Sequence, residues 1–402
     1  LAVMSWSAVI DQERVVSSLR SAIRGGRVAH AYLFHGPDGV GKRTVALAFG
    51  RALLCNEGGD EACGGCGACH KTSQGIHADL HFLMPQPKDV DREEVSTRVQ
   101  MVYTQPYSVV DFARRPSLED PEKTSNKQSG YHIERVYEEL YRPMSFKPVE
   151  GRYKIAIITD VDLFNKTSAN AFLKLLEEPA PRTVFILTTA RTDRVLPTIL
   201  SRCQRIRFSM LPSDLIAERL VTEGLVAGSN AEVIARMADG SFSRATDLAS
   251  NHELMAQRQA VIALFRTIWK ARSSHPSALD SLADVAAQTS ASGRERVKNF
   301  LRLILSWLRD ILLYRNTGST DSLVNVDEAK AIVDFAVKVP DADVESMIAV
   351  VEEAIELTQR NVHLGILMLT LFNELRRGIR GERSAGLYRP LVAVAGSVGA
   401  RL

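Results

Sequence analysis

No stretch of this chain is long and apolar enough to read as a membrane span. The most apolar run, Phe300 to Tyr314, is broken by Arg302, Arg309 and Asp310, and falls short of the ~20 apolar residues a spanning helix needs. A strong charge of one sign is also missing. With 50 Lys+Arg against 47 Asp+Glu the formal balance is +3, so bulk basicity does not demand a nucleic-acid partner and only local patches could serve one. The opening Leu1-Ala2-Val3-Met4 has neither a basic n-region nor an apolar h-region, and Trp6-Ser7 begins folded-looking sequence. A cytoplasmic chain with no membrane contact is expected.

Two narrower absences say more. Gly36-Pro37-Asp38-Gly39-Val40-Gly41-Lys42-Arg43-Thr44 is a glycine-rich phosphate loop between a strand and a helix. Gly36, Gly39 and Gly41 let backbone N–H groups turn inward around a triphosphate, and Lys42 neutralises its β/γ-phosphates. The next residue should carry the hydroxyl that ligates magnesium, and it is Arg43; Thr44 comes one position late, on another helix face. The apolar strand Ile155–Ile158 is of the kind that ends in Asp-Glu in a hydrolysing ATPase, but here Thr159-Asp160 follow. Phosphate cradling survives at Lys42, and the magnesium and base chemistry does not, so ATP or ADP binding is expected to be weak or absent.

At 402 residues two or three domains are expected, each burying its own core. The first part alternates helices with short apolar strands at Ala31–Phe34, Ile155–Ile158 and Val184–Leu187, and a further strand is read at Ile206–Phe208. That alternation predicts an α/β fold on a parallel, doubly wound sheet. Helices are expected over Thr44–Leu54, Ile133–Tyr141 and Thr167–Leu176, the last stopping before Pro179. Between Pro85 and Gly130 a polar stretch without sustained periodicity predicts an inserted, mobile loop. From the helix start at Pro212-Ser213-Asp214 onward the sequence is almost wholly helical. Two apolar stripes, Val297/Phe300/Leu301/Ile304/Trp307/Leu308/Ile311 and Met347/Val350/Val351/Ala354/Ile355/Leu357, have the spacing of bundle helices. The tail after Gly381 is weakly patterned.

Cysteine is scarce, and four of the five fall at Cys55, Cys63, Cys66 and Cys69 among Gly58, Gly59, Gly64, Gly65 and Gly67. Four thiolates at close spacing suit tetrahedral zinc, and without an open coordination position the zinc is expected to be structural. Disulfides are the competing reading and do not suit a cytosolic chain. His70 reads as a surface histidine, and Cys203 as a small apolar packing residue. Arg202, at a helix end just before the strand Ile206–Phe208, carries little signal from spacing alone.

Taken together, His30–Gly41, the four cysteines, Lys154–Pro179 with its Leu-Leu-Glu-Glu-Pro, Thr188–Cys203 with its Ser-Arg-Cys, and Asn361–Leu375 resemble the delta-prime family of bacterial DNA polymerase III clamp-loader subunits, in the AAA+ superfamily. The resemblance implies an AAA+ domain over 1–211 with a zinc module at 55–69 and the insert at 85–130. A helical lid over 212–250, an all-helical collar over 251–382 for oligomerisation and a tail over 383–402 would follow. It implies a hetero-oligomer, a pentamer with gamma/tau and delta subunits that loads a sliding clamp on primed DNA. It makes Arg202 an arginine finger offered in trans to a neighbouring ATP site, and matches Thr189 to the polar residue that senses the γ-phosphate. The gamma/tau motor shares the zinc module and Ser-Arg-Cys, so an active ATPase of that type is the alternative. Against it, Thr159 and Asp160 align with the motor's magnesium-binding Asp and catalytic Glu, and Ser243 stands where the lid arginine would be, with Arg244 one place later. The 85–130 insert is larger than the resemblance implies. A nucleotide kinase is disfavoured by the helical second half, and a zinc-ribbon nucleic-acid binder by the few basic or aromatic residues beside the cysteines.

Overall fold

Residues 5–112, 114–119, 129–250, 254–271, 276–358, 360, 362–384 and 386–387 are described by the structure, a computed structural model. The chain divides after Ser250 into two units. Asn361, most of the tail and part of the 85–130 insert lie outside the described residues.

In the first unit, α1 (Glu13–Arg24) precedes β1 (Ala31–His35), and the phosphate loop then leads into α2 (Lys42–Leu54). Next come α3 (Gly67–Ser73), β2 (Leu80–Leu83), α4 (Arg92–Thr104) and α5 (133–144), whose middle turn Val136–Tyr141 is a π-helix. β3 (Lys154–Ile158), α6 (Lys166–Glu177), β4 (Thr183–Thr189), α7 (Pro197–Leu200) and β5 (Gln204–Arg207) complete the sheet region. Three helices, α8 (Ser213–Thr222), α9 (Gly228–Met237) and α10 (Phe242–Ser250), close the unit.

The five strands are all parallel, in the order β2-β3-β4-β1-β5. Side-chain alternation sorts their residues between two helical layers. Ala31, Leu33, Ala156, Ile158, Phe185 and Leu187 share a core with Val136 and Leu140 of α5 and Phe172, Leu175 and Leu176 of α6. On the opposite face Tyr32 meets Phe49 of α2, ring centroids 5.2 Å apart. Strands covered on both faces must be apolar throughout, which is why β1, β3 and β4 read as continuous hydrophobic runs. The edge strand β5 exposes Gln204, Arg205 and Arg207, charges that keep a free edge from pairing with another sheet. Cys203 packs partly buried against the β-sheet core, as a small apolar residue would.

Two features depart from the sequence reading. The strand β2 was not anticipated, because His81 interrupts its apolar pattern; burial, with Lys154 nearby, lowers the histidine to about 4, so it sits in the strand as a neutral ring. The expected loop at 85–130 holds the 13-residue helix α4. Its ends are pinned by reciprocal Gln86–Gly130 backbone bonds of 3.1 Å each way. Asp91 caps α4 by accepting from the Glu93 N–H. The helix packs around an arginine instead of an apolar stripe. The Arg98 side chain is fully buried, donates to Glu94 Oε1 at 2.7 Å and Val110 O at 2.8 Å, and lies 3.9 Å over the Phe112 ring. A core built on a guanidinium leaves no hydrophobic period to read.

The second unit is helical: α11 (Leu254–Lys270), α12 (Pro276–Ala291), α13 (Arg294–Thr317), α14 (Ala329–Lys338), α15 (Val344–Leu357) and α16 (Leu364–Ile379). All seven residues of the first stripe are buried on α13; on α15 only Ile355 of the second stripe is partly exposed. Arg258 is buried in an ion pair with Asp327 at 2.6 Å and donates to Asn325, whose amide in turn donates to Asp310 at 2.8 Å. The start of the tail is docked: Ser384 N–H donates to Ser346 Oγ at 2.9 Å and Leu387 N–H to Glu353 Oε2 at 2.8 Å. Among the described residues no helix is long and apolar enough to cross a membrane.

Candidate functional site

The phosphate loop emerges from β1, whose C-terminal end is the natural ligand crevice of a parallel sheet. Gly39 and Gly41 hold positive φ of 73° and 100°, which a side chain would resist. Lys42 is buried and turned back on its own loop, donating to Gly36 O at 2.7 Å and Pro37 O at 2.6 Å, with Asp38 at 3.8 Å. Burial lowers its pKa while Asp38 and Asp160 work the other way.

Arg43 occupies the magnesium-hydroxyl position, half-buried and anchored. Its guanidinium donates to Pro106 O at 2.8 Å and to Ser108 O, both in the insert. Burial lowers this arginine to about 10, with Asp160 opposing, so it stays protonated at neutral pH. Thr44, one position on, is buried, its side chain beside Tyr107.

Thr159 follows β3 with its N–H on Leu83 O at 3.0 Å, and its carbonyl accepts from the buried Tyr131 hydroxyl. Asp160 follows in left-handed conformation, φ 49°. Burial raises its carboxyl to about 6, and Asp38 and Asp111 push the same way against the pull of Arg114. Arg114, from the insert, bonds Asp111 at 2.7 Å; burial disfavours its charge, but Asp111, Asp38 and Asp160 outweigh that and raise it. Thr189 is fully buried at the end of β4 and donates to Asp162 Oδ1 at 2.6 Å. Asp162, Asp111, Arg114 and Tyr107 were not flagged by the sequence, since nothing in their local pattern marks them; only the fold carries them to the loop.

The four cysteines converge, their sulfurs all within 4.8 Å of one another. Cys55–Cys66 and Cys63–Cys69 sulfurs are 4.0 and 3.8 Å apart, far beyond the ~2.05 Å of a disulfide. Sulfurs ~2.3 Å from a common tetrahedral centre are about 3.8 Å apart, so the set fits one metal ion. Backbone N–H groups of Cys63, Cys66 and Cys69 point at Cys55, Cys63 and Cys66 sulfurs at 3.4, 3.4 and 3.5 Å, the arrangement that supports thiolate charge. Cys66 also caps α3. Exposed His70 is not part of this group. Trp6 Nε1 donates to Asp60 O at 2.8 Å and Arg20 to Asp60 Oδ2 at 2.9 Å, tying the module to the chain's first helices.

Arg202 lies apart from the loop, in the turn between α7 and β5. Its side chain is 35% exposed and is steadied by Glu177 Oε1 at 2.8 Å and Thr198 O at 3.0 Å. Glu177 belongs to Leu-Leu-Glu-Glu-Pro, so the two sequence signatures meet in one ion pair.

A sequence profile described as DNA polymerase III, delta subunit, matches residues 11–212, half of the chain. The chain belongs to that family. It is similar to DNA polymerase III subunit delta' of Bacillus subtilis (strain 168), 27% identical over 378 residues that cover 93% of this chain and 99% of the relative. It is also similar to DNA polymerase III subunit tau of the same organism, 26% identical over 341 residues; this chain spans 52% of that relative's length. Among solved structures, a gamma subunit-related protein of Thermotoga maritima MSB8 aligns over 91% of this chain and 99% of its own, at 16% identity and a TM-score of 0.39. For this member of the polymerase III delta subunit family, the parallel sheet, the phosphate loop after β1 and the cysteine cluster are the features that the sequence had led one to expect.

A pH effect follows from Asp160. Its folded pKa lies above the ordinary 3.8, so the unfolded chain releases this proton more readily. The stabilising effect of the proton is complete below about pH 4 and lost as pH rises through about 6. Asp160→Asn removes the buried charge and keeps a residue that tolerates the left-handed region. It should raise stability by on the order of 1–2 kcal/mol above about pH 7 and leave it nearly unchanged near about pH 4. Urea midpoints at the two pH values check this; equal effects at both would contradict it.

Proposed function

We propose that this chain is a stator subunit of the bacterial clamp loader. In this reading it assembles with gamma/tau and delta subunits to load a sliding clamp on primed DNA, lends Arg202 to a neighbour's ATP site, and does not hydrolyse ATP itself. Family membership and the near full-length similarity to a delta' subunit support the clamp-loader role. The non-hydrolysing part is carried by one observation: the position after Lys42 is filled by an arginine bonded to the insert's carbonyls. Phosphoryl transfer in a P-loop site needs the loop lysine on the phosphates, a hydroxyl on magnesium, and carboxylates for the metal and the attacking water. Here Lys42 is bonded to its own loop, Arg43 brings a positive charge to the metal's position, Thr159 cannot charge, and Asp160 is one carbon shorter than the catalytic Glu it stands for. Thr189, bonded to Asp162, would have to exchange that partner to read a γ-phosphate.

Arg202 suits the trans role in its chemistry. A planar guanidinium can grip phosphoryl oxygens with two parallel bonds as negative charge develops, which a lysine cannot. Glu177 and the Thr198 carbonyl hold it at the surface. Fingers supplied in trans are worth about three to five orders of magnitude at a single site. Since one site among several would depend on Arg202, Arg202→Ala in a reconstituted complex should lower DNA-stimulated ATP hydrolysis about two- to tenfold, with Arg202→Lys rescuing little. Wild-type hydrolysis and clamp loading by the Arg202→Ala complex would remove the residue's assigned role. Steady magnesium-dependent turnover by the isolated chain would favour the gamma/tau-type reading instead.

The cysteine cluster is proposed to hold structural zinc through Cys55, Cys63, Cys66 and Cys69. Ligation would contribute directly to the folding of residues 55–73, where the described secondary structure is the short helix α3. Purified reduced protein should contain about one equivalent of zinc, and Cys66→Ser should lose it. Elemental analysis decides the matter, and metal-free wild-type protein of unchanged stability would refute the proposal.

A further inference from the structure

The insert, too large for the family resemblance to explain, ends up against the phosphate loop. Pro106 O and Ser108 O receive the Arg43 guanidinium at the first turn of α2. Between them, Tyr107 is buried, and its hydroxyl accepts from the Ile10 N–H at 3.0 Å. The same hydroxyl lies so close to Gly41 that a Cβ built there would come within 2.9 Å of it. The Tyr107 ring meets Phe242 edge-on, with centroids 5.1 Å apart at 82°. Phe242 opens α10, and its N–H donates to Gly39 O at 3.0 Å. A Cβ on Gly39 would fall 2.1 Å from Ser241 Oγ. Loop, insert and α10 therefore touch pairwise: loop and insert at Arg43 and Gly41, loop and α10 at Gly39, insert and α10 through the two rings.

In a working P-loop ATPase the nucleotide is the ligand that organises the loop. We propose that in this chain the insert replaces it: Pro106–Ser108 grip Arg43, and Tyr107 bridges Gly41 to Phe242, so that the loop and α10 are clasped together without nucleotide. This deepens the stator reading and rests on it, because a subunit that need not cycle with ATP can have its loop fixed permanently. Arg43 then has a positive use at the position where it abolishes the magnesium ligand. Arg114 adds a tethered cation beside Asp111, in the field of Asp38 and Asp160, where the metal ion of a nucleotide complex would otherwise bring positive charge. The carbonyl grip and the aromatic bridge, both carried on the chain's own insert, hold the loop in place of a diffusible ligand.

The test is hydrogen–deuterium exchange on the full chain, with Arg43→Met, which keeps the stem and loses both carbonyl bonds, and Tyr107→Ala. In each variant, exchange at 37–44 and 239–247 should accelerate together by about tenfold or more, while 55–69 stays as in wild type. Millimolar ADP with magnesium should leave wild-type exchange unchanged. Should Tyr107→Ala unfold the unit, seen as lost protection at 55–69, Tyr107→Phe, which keeps the ring on Phe242 and removes only the hydroxyl beside Gly41, should still accelerate 37–44 and leave 55–69 as in wild type. If only 105–112 accelerates, or if ADP slows exchange at 37–44 in the unaltered chain, the clasp is wrong. The first of those outcomes leaves the non-hydrolysing reading standing, and a failed Arg202→Ala effect leaves the clasp standing, so the two fail separately.

Discussion

The anchoring of the half-buried Arg43 guanidinium is the constraint on which the phosphate-loop region of the first unit depends. A charge taken partly out of water must find hydrogen bonds or it shifts its proton or the fold. With Lys42 on one side and Asp160 on the other, Arg43 finds them on two carbonyls of a segment far away in sequence. Those bonds hold 106–108 against α2, and Tyr107 is carried with them. Neutral carbonyls satisfy the donors without cancelling the charge, which is why its pKa falls instead of rising as it would against a carboxylate. The site is consequently stiff and electrostatically crowded: two basic side chains of consecutive residues, a third from the insert, and carboxylates at 38, 111, 160 and 162.

Much of the sheet was legible in advance. β1, β3 and β4 are buried on both faces, so their apolar runs are dictated by position and show plainly in sequence. Amphipathic α13 and α15 were readable for the analogous reason, each presenting one stripe to a core. β2 and α4 were not, because each spends a polar residue where a pattern search expects an apolar one. His81 loses its charge to fit, and Arg98 is accommodated by stacking on Phe112 and filling its donors locally. Polar residues reconciled with burial by tertiary partners leave no local signature.

The candidate sites divide along the same line. The cysteines stand close in sequence, and their spacing alone implied a shared centre; the sulfur separations agree. The phosphate loop was likewise local. The partners that determine what the loop can do, Tyr107, Asp162 and Arg114, reach it from other segments. The substitutions at Arg43 and Thr159 could be read as losses from sequence, but the replacement contacts could be seen only once the chain was folded.

The reciprocal bonds between Gln86 and Gly130 have a bearing on how this chain can change over evolutionary time. They bring the two ends of the insert together beside β2, so the sheet meets a fixed pair of attachment points whatever length of chain runs between them. The entropic cost of closing a flexible loop grows with the logarithm of its length, about 0.6 kcal/mol for each doubling. A difference in insert length between those two points therefore costs the fold little, whereas a change at Gln86 or Gly130 would put at risk the bonds that fix them.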